Sequence, residues 1–545
     1  MLPLSPDQEY VVTRAKAFLL ALLCAIWACT GLVGHDPWRP GDAYSFGIIH
    51  HILQSGDWLI PQIAGESDLK NPPLFFQTGA LFAQLFSPWL SPHDGARLAS
   101  GFYTGLTLLF VGLAGRELFG KGRGWPTVII LIGCLGMLVN THLMLTDLAL
   151  LAGCAMMQYG FCLSQRRPLA AGLLIGTGVG VGFMAKSFTA PMLFLLIAVA
   201  MLIFRNWRVR PYYTSLGIAA LAALPWLVIW PTLLYLHSPQ AFMEWIWGDN
   251  IGRWLEHVRS GDFEDVFYYL GILPWFAWPA LPLAAWAVWR NRGKVWHTIE
   301  FQLPLTSFLV TLIALSLATS VNNVFALPLL LPLALLATAA LPILRRGAAN
   351  ALDWFGIMTF GVIGILMWWG WAGLLLDNHA KITQLLKAYQ PGFEPTVYAP
   401  TFWIALFATL LWIVMVWRVG RSMRRAVVNW AGGVTLVWIL AMTIWLPWLD
   451  SSKSYRDTAL SLKHELPARY NCITSQNVGA TQRAMLGYHA GITIQSGAAR
   501  DCGLMLVLDS GLSKTPVSRK KWQQIWKGSR PSDRDEVFRL YRKVL

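Results

Sequence analysis

Charge is scarce in this 545-residue chain. Asp, Glu, Lys and Arg make up 13% of it, and the acids are fewer than the bases, 28 against 43. With 55% hydrophobic residues and a mean hydropathy of +0.49, that scarcity excludes an ordinary soluble globule and a disordered chain. No heptad or solenoid period stands out, which argues against a coiled coil or a repeat array. A P-loop, an HExxH zinc site and a dinucleotide fingerprint are also missing. Cysteines number only seven. Five of them (Cys24, Cys29, Cys134, Cys154, Cys162) lie in apolar runs, where cysteine behaves as a small packing residue. Cys472 and Cys502 lie in a polar C-terminal region and would pair in an oxidising compartment. No small-residue cleavage site follows Ala17 to Gly34, so that stretch reads as a signal anchor and first span.

What the chain has in plenty is apolar runs, with 29 Trp and 27 Phe. A spanning helix needs about 20 mostly apolar residues. Thirteen stretches qualify: 17–34, 97–115, 125–140, 143–164, 169–185, 188–204, 213–236, 267–289, 302–320, 325–343, 354–376, 401–417 and 430–448. The net charge of +15 does not point to nucleic acid, because the basic residues form short clusters between these runs. The clusters recur at alternate connections: Arg14 and Lys16; Arg116, Lys121 and Arg123; Arg166 and Arg167; Arg205, Arg208 and Arg210; Arg290, Arg292 and Lys294; Arg345 and Arg346; Arg418 to Arg425. Loops rich in Lys and Arg stay in the cytoplasm, so all seven clusters are assigned there. The opposite side then carries a first loop (35–96), segments 237–266 and 377–400, and a C-terminal domain (449–545) of α/β or α+β type. The apolar stretch NPPLFFQTGALFAQLF (71–86) is expected not to cross. A crossing there would move every later basic cluster to the other side.

Several polar residues fall on that outer side. Asp42 opens an amphipathic stretch and reads either as a helix cap or as a general base. Asp147 stands at the outer end of the fourth span, and Lys186 separates two apolar spans against the charge trend. Lys70 and Arg253 add cations that can grip a phosphate. His50 and His51 are adjacent and point to different helix faces, so they read as polar side chains on a helix surface and not as a metal pair. Two carboxylates, three cations and many Trp suit a phosphorylated, membrane-embedded substrate with a polar acceptor. No cofactor is assigned from these residues, and a divalent metal ion is left open.

Specific motifs sharpen this. Pro40-Gly41-Asp42-Ala43-Tyr44, Ser55-Gly56-Asp57-Trp58-Leu59-Ile60-Pro61, Asn71-Pro72-Pro73-Leu74, Ala96-Arg97-Leu98, Gly115-Arg116-Glu117-Leu118-Phe119-Gly120 and Thr146-Asp147 occur in this order. The series resembles the GT-C class membrane glycosyltransferases, family 39, which includes protein O-mannosyltransferases and lipid A aminoarabinose transferases. The resemblance implies an α-helical polytopic GT-C fold of about thirteen transmembrane helices over residues 1–448, followed by a small periplasmic α/β domain over 449–545. It also implies an inverting glycosyltransferase of the bacterial inner membrane. Such an enzyme moves a sugar from a polyprenyl-phosphate donor to a lipid A or lipopolysaccharide, glycan or protein acceptor. Under it Asp42 is the leading base, Asp147 a second acid, and Lys70, Lys186 and Arg253 the donor-phosphate partners. The chain departs from the family where adjacent acids, Asp-Glu, are usual and Gly41-Asp42 stands here. It departs again where Glu-Lys-Pro becomes Lys70-Asn71-Pro72. The competing reading is a polytopic transporter or lipid flippase; related halves, which many transporters show, are not visible.

Overall fold

The computed structural model describes residues 13–252, 266–318, 321–377, 380–391, 393–418, 424–497, 502–510, 517–518, 521–531, 533 and 535–544. The chain starts with α1 (Arg14–Cys29) and runs through a loop into α2 (Gly41–Ser55). A two-stranded hairpin, β1 (Gln62–Ile63) with β2 (Glu66–Ser67), leads to α3 (Leu74–Phe86). Then come α4 (Pro92–Phe119), α5 (Gly124–Gly133), α6 (Leu135–Leu138), α7 (Asp147–Leu163), α8 (Pro168–Lys186), α9 (Thr189–Met201) and α10 (Arg210–His237). After α11 (Pro239–Met243) a π-helical turn covers Glu244–Asn250. The remaining apolar helices are α12 (Tyr268–Phe276), α13 (Ala280–Arg290), α14 (Ile299–Ser316), α15 (Leu327–Ala340), α16 (Arg346–Leu375), α17 (Ala399–Arg418) and α18 (Arg425–Ala441).

All thirteen apolar runs fall on helices, though not all on straight ones. Among the described residues, seven helices are long and apolar enough to cross a bilayer, or ten if each of three bent pairs counts as one span. The 267–289 run is α12 and α13 meeting at 100°, broken around Pro279. Proline cannot continue the backbone ladder of a helix, which gives the break its cause. The 125–140 run bends by 77° at Cys134, whose backbone is extended. The 430–448 run bends by 68° between α18 and α19 (Leu446–Lys453). Runs 17–34, 143–164 and 188–204 form helices of 16, 17 and 13 residues.

NPPLFFQTGALFAQLF forms α3, a helix of 13 residues. At about 1.5 Å per residue it is roughly 20 Å long, too short for a hydrocarbon core of about 30 Å. Its Phe75, Phe76, Gly79, Ala80 and Ala83 are buried, while Leu81 and Leu85 stay exposed.

The helical layer is held by close packing of small residues as well as by apolar bulk. A Cβ added to Gly153 of α7 would lie 2.5 Å from the Gly178 carbonyl oxygen of α8. Only glycine allows two helix backbones to approach that far, the small-residue contact common between helices in membranes.

The C-terminal part is a five-stranded mixed sheet. Its strands are β3 (Ile473–Gln476), β4 (Ile494–Ser496), β5 (Leu504–Ser510), β6 (Trp522–Ser529) and β7 (Glu536–Lys543), in the order β4-β3-β5-β7-β6. β3 runs parallel to β4 and β5, and β7 runs antiparallel to β5 and β6. Helices α20 (Arg456–Glu465) and α21 (Ala480–Ala490) accompany it. A disulfide joins Cys472 and Cys502, with Cα atoms 4.9 Å apart. The sheet does not hang free: Tyr455, Leu486 and Leu506 share one apolar core with Phe46 and Ile63 of the first loop and with the helical bundle.

Candidate functional site

The first loop is built around one buried charge. Asp42 lies in the first turn of α2 and is 0% exposed. Its Oδ2 accepts from Trp38 N at 3.0 Å and from the Arg97 guanidinium at 3.0 Å, and its Oδ1 accepts from Met144 N at 2.8 Å. Burial alone would push this carboxyl up. Arg97 and these hydrogen bonds outweigh burial and hold it below the ordinary aspartate range. Arg97, equally buried, also donates to the carbonyl oxygens of Leu32, His35 and Asp36 and to Asp94. Asp42 is therefore closed to solvent, and both of its oxygens already accept hydrogen bonds. It ties the start of α2, the end of the 143–146 connection and α4 into one joint. A Cβ at the neighbouring Gly41 would lie 2.5 Å from Leu145 Cδ2, so that leucine side chain would have to shift.

Three residues beyond Met144, Asp147 opens α7. Its Oδ2 meets Lys186 Nζ at 3.0 Å. Its Oδ1 is buried and has no hydrogen-bond partner among the described residues. A buried acceptor left without a donor costs about 1–3 kcal/mol. Lys186 ends α8, with its ammonium 5.2 Å from the Phe325 ring. The residue after it, Ser187, has φ +48 and ψ −129, an unusual conformation for a side chain with a Cβ. Its hydroxyl accepts from Trp245 Nε1 at 3.2 Å, which fixes the turn against the π-helical segment.

The Lys70 segment approaches the same end of α8. Leu69 packs in one buried cluster with Phe183, Met184, Trp230 and Trp245. Lys70 itself is 60% exposed and lies 3.8 Å from Asp68, whose other oxygen accepts from Tyr44 OH at 3.1 Å. Burial first, then the Asp68 charge, pushes the Tyr44 hydroxyl well above the usual phenol range. Asn71 hydrogen-bonds Tyr44, and the Asp249 carboxylate also acts on it. The fold thus gathers the start of α2, the end of α8, the start of α7, the 68–71 turn and the π-helical turn. Arg253 lies outside the described residues. Among those residues no group of three His, Cys, Asp or Glu is placed to hold a metal ion.

The C-terminal layer closes the other side of the loop. Asp36 accepts from Arg456 Nε at 2.7 Å and again from its terminal nitrogen, and from Ser454 Oγ at 2.8 Å. Asp450 accepts from Trp38 Nε1 at 2.8 Å. Arg483 pairs with Glu66 at 2.8 Å, and His93 hydrogen-bonds Tyr488 at 2.9 Å. None of Arg97, Asp68, Tyr44 and Arg456 was singled out for a role by residue type alone. Arg97 and Tyr44 lie within the motifs Ala96-Arg97-Leu98 and Pro40-Gly41-Asp42-Ala43-Tyr44, which is the signal that could have found them.

Residues 70–230 match the family described as dolichyl-phosphate-mannose-protein mannosyltransferase. The undecaprenyl phosphate-alpha-4-amino-4-deoxy-L-arabinose arabinosyl transferase of Pseudomonas aeruginosa (strain UCBPP-PA14) is 29% identical over 371 residues, covering 63% of this chain and 63% of that protein. A similarly named transferase of Sodalis glossinidius is 30% identical over 348 residues, covering 60% of this chain and 59% of that protein. The match thus spans less than two thirds of these curated relatives. The crystal structure of apo ArnT from Cupriavidus metallidurans superposes with a TM-score of 0.70, at 15% identity, over 96% of this chain and 98% of that one. The structure of ArnT from the same organism bound to undecaprenyl phosphate gives 0.66, at 14% identity, over 97% and 98%. In fold the chain is of the GT-C class, and in sequence it is similar to family 39, the protein O-mannosyltransferases and lipid A aminoarabinose transferases.

Proposed function

We propose that the chain is an inverting glycosyltransferase of the bacterial inner membrane that uses a polyprenyl-phosphate sugar and an envelope acceptor (lipid A or lipopolysaccharide, a glycan or a protein). The first loop and residues 449–545 face the periplasm in this reading. The disulfide suits that compartment. The observation that carries the proposal is Asp147, a buried carboxylate with one oxygen on Lys186 and the other without a donor among the described residues. That free oxygen is where an acceptor hydroxyl would bind and lose its proton. The hydroxyl oxygen then attacks the anomeric carbon, and the bond from that carbon to the phosphate oxygen breaks. The leaving phosphate gains negative charge, which Lys186, Lys70 and Arg253 would stabilise. Asp42 keeps α2, α4 and the 143–146 connection in register and handles no proton in this scheme.

The names of the relatives and the bound lipid of the ArnT structure favour transfer over transport. Mass spectrometry of envelope lipids, glycans and proteins from cells with and without the chain tests the reading. A sugar-sized mass lost with the gene and restored by the parent chain, but not by Asp147→Asn, is the expected result. Unchanged envelope masses, with lipid movement in proteoliposomes instead, would move the chain to the flippases.

A further inference from the structure

Arg116, one turn from the end of α4, and Lys121, in the turn that follows, border a groove between α1, α4 and α5. Its volume is about 850 Å³, within the roughly 300–1,000 Å³ usual for small-molecule sites. Its walls are apolar, built by Ala21 and Cys24 of α1, Leu109 and Leu113 of α4, and Trp125 and Val128 of α5. Both cations are exposed, and neither has an ion-pair partner among the described residues. The acid next to them in sequence, Glu117, is bound to Arg166 at 3.0 Å instead.

The groove is not part of the site described above. Arg97 and Arg116 lie on the same continuous helix, roughly 28 Å apart at about 1.5 Å per residue. That is close to the thickness of a bilayer's hydrocarbon core, about 30 Å. The two arginines therefore mark opposite membrane faces, and Arg116 belongs to the basic one.

A long apolar wall that ends in two unpaired cations is complementary to an amphiphile with an acidic head. Free phosphate would meet the cations and leave the wall uncovered; a neutral lipid would cover the wall and leave the cations unmatched. We propose that this groove binds an anionic phospholipid of the leaflet on that face, its acyl chain along α1 and α4 and its phosphate against Arg116 and Lys121. Basic pockets between spanning helices favour acidic headgroups for the same electrostatic reason.

Native mass spectrometry of the full chain in detergent, titrated with equal amounts of phosphatidylglycerol and phosphatidylethanolamine, tests this. The parent chain is expected to retain the first phosphatidylglycerol with a preference on the order of tenfold. In Arg116→Gln/Lys121→Gln the preference falls to near one. In Ala21→Trp, which fills the groove, retention of that first lipid is lost. Because the charge variants change exposed side chains only, they report even if the groove-filling variant fails to fold. Equal retention of both lipids by the parent, or an unchanged preference in the charge variant, overturns the proposal. So does displacement of phosphatidylglycerol by an equal amount of undecaprenyl phosphate, which would assign the groove to the isoprenoid lipid.

Discussion

Arg97 holds Asp42 with an N–O distance of 3.0 Å, and both side chains are wholly buried. Removing Arg97 takes the counter-charge from a buried carboxylate, which costs about 3–5 kcal/mol; removing Asp42 still leaves Arg97 its contact with Asp94, so that loss is smaller. Arg97→Met and Asp42→Asn should each lower the melting temperature of the purified protein clearly. The paired replacement should lower it by less than the two single effects added together. Activity per folded molecule of Asp42→Asn should stay within about tenfold of the parent. A loss of about 100-fold or more in fully folded protein, the size expected for a missing general base, would return the proton-accepting role to Asp42.

Asp147 should behave in the opposite way. Among the described residues its Oδ1 has no hydrogen-bond partner to lose, and the ion pair to Lys186 is what holds the carboxylate. Asp147→Asn is expected to cut sugar transfer by about 10²–10⁴ with a melting temperature near that of the parent. Lys186→Met should weaken donor use as well as turnover, since the cation serves the leaving phosphate. Steady-state kinetics with a polyprenyl-phosphate sugar separate the two effects, and full activity of folded Asp147→Asn would remove it from the chemistry.

Acid should loosen the contact between the C-terminal layer and the first loop. His489 has a folded value pushed down to about 4 from 6.5, first by burial and then by the Arg456 charge, with Asp36 partly opposing. Its folded form is thus neutral where the unfolded form takes up a proton. The unfolded state binds more protons between pH about 6.5 and 4, so stability falls as pH falls through that window. The limit is about 3 kcal/mol for a shift of this size. Melting temperatures between pH 7.5 and 4.5 should decline in the parent and decline less in His489→Gln. An equal decline in both would place the acid sensitivity elsewhere.

The disulfide supplies a fourth handle. Cys472 and Cys502 are 30 residues apart in sequence, and closing a loop of that length stabilises by about 3.6 kcal/mol in the chain-entropy account. Cys472→Ser/Cys502→Ser should unfold the β-sheet layer at lower temperature than the helices, giving a melt with two resolved transitions by tryptophan fluorescence.

Much of this architecture was legible because a bilayer punishes errors strongly. Apolar runs and alternating Lys/Arg clusters are large, redundant signals, and each of the thirteen runs became helix. The bends were less legible: hydropathy averages over Cys134 and Pro279 and does not register a 77° or 100° turn. In the site, Asp147 and Lys186 stood out because an ionisable residue between apolar spans is rare, and they form a pair. Asp42 reads as a cap or a base from its place before an amphipathic stretch, and its partner Arg97 lies 55 residues away. Residue type alone could not separate a buried anchor from an open base. The Lys70–Asp68–Tyr44 chain was hidden because each member is ordinary for a polar loop, and only folding brings them together.

Asp36 and Arg456 meet across 420 residues of sequence. Asp36 also receives a hydrogen bond from Ser454, and Trp38, two residues on, donates one to Asp450. During synthesis, therefore, the first loop emerges long before half of its anchors exist. Contacts this distant in sequence form late. The loop reaches its final shape only when nearly the whole protein has been made.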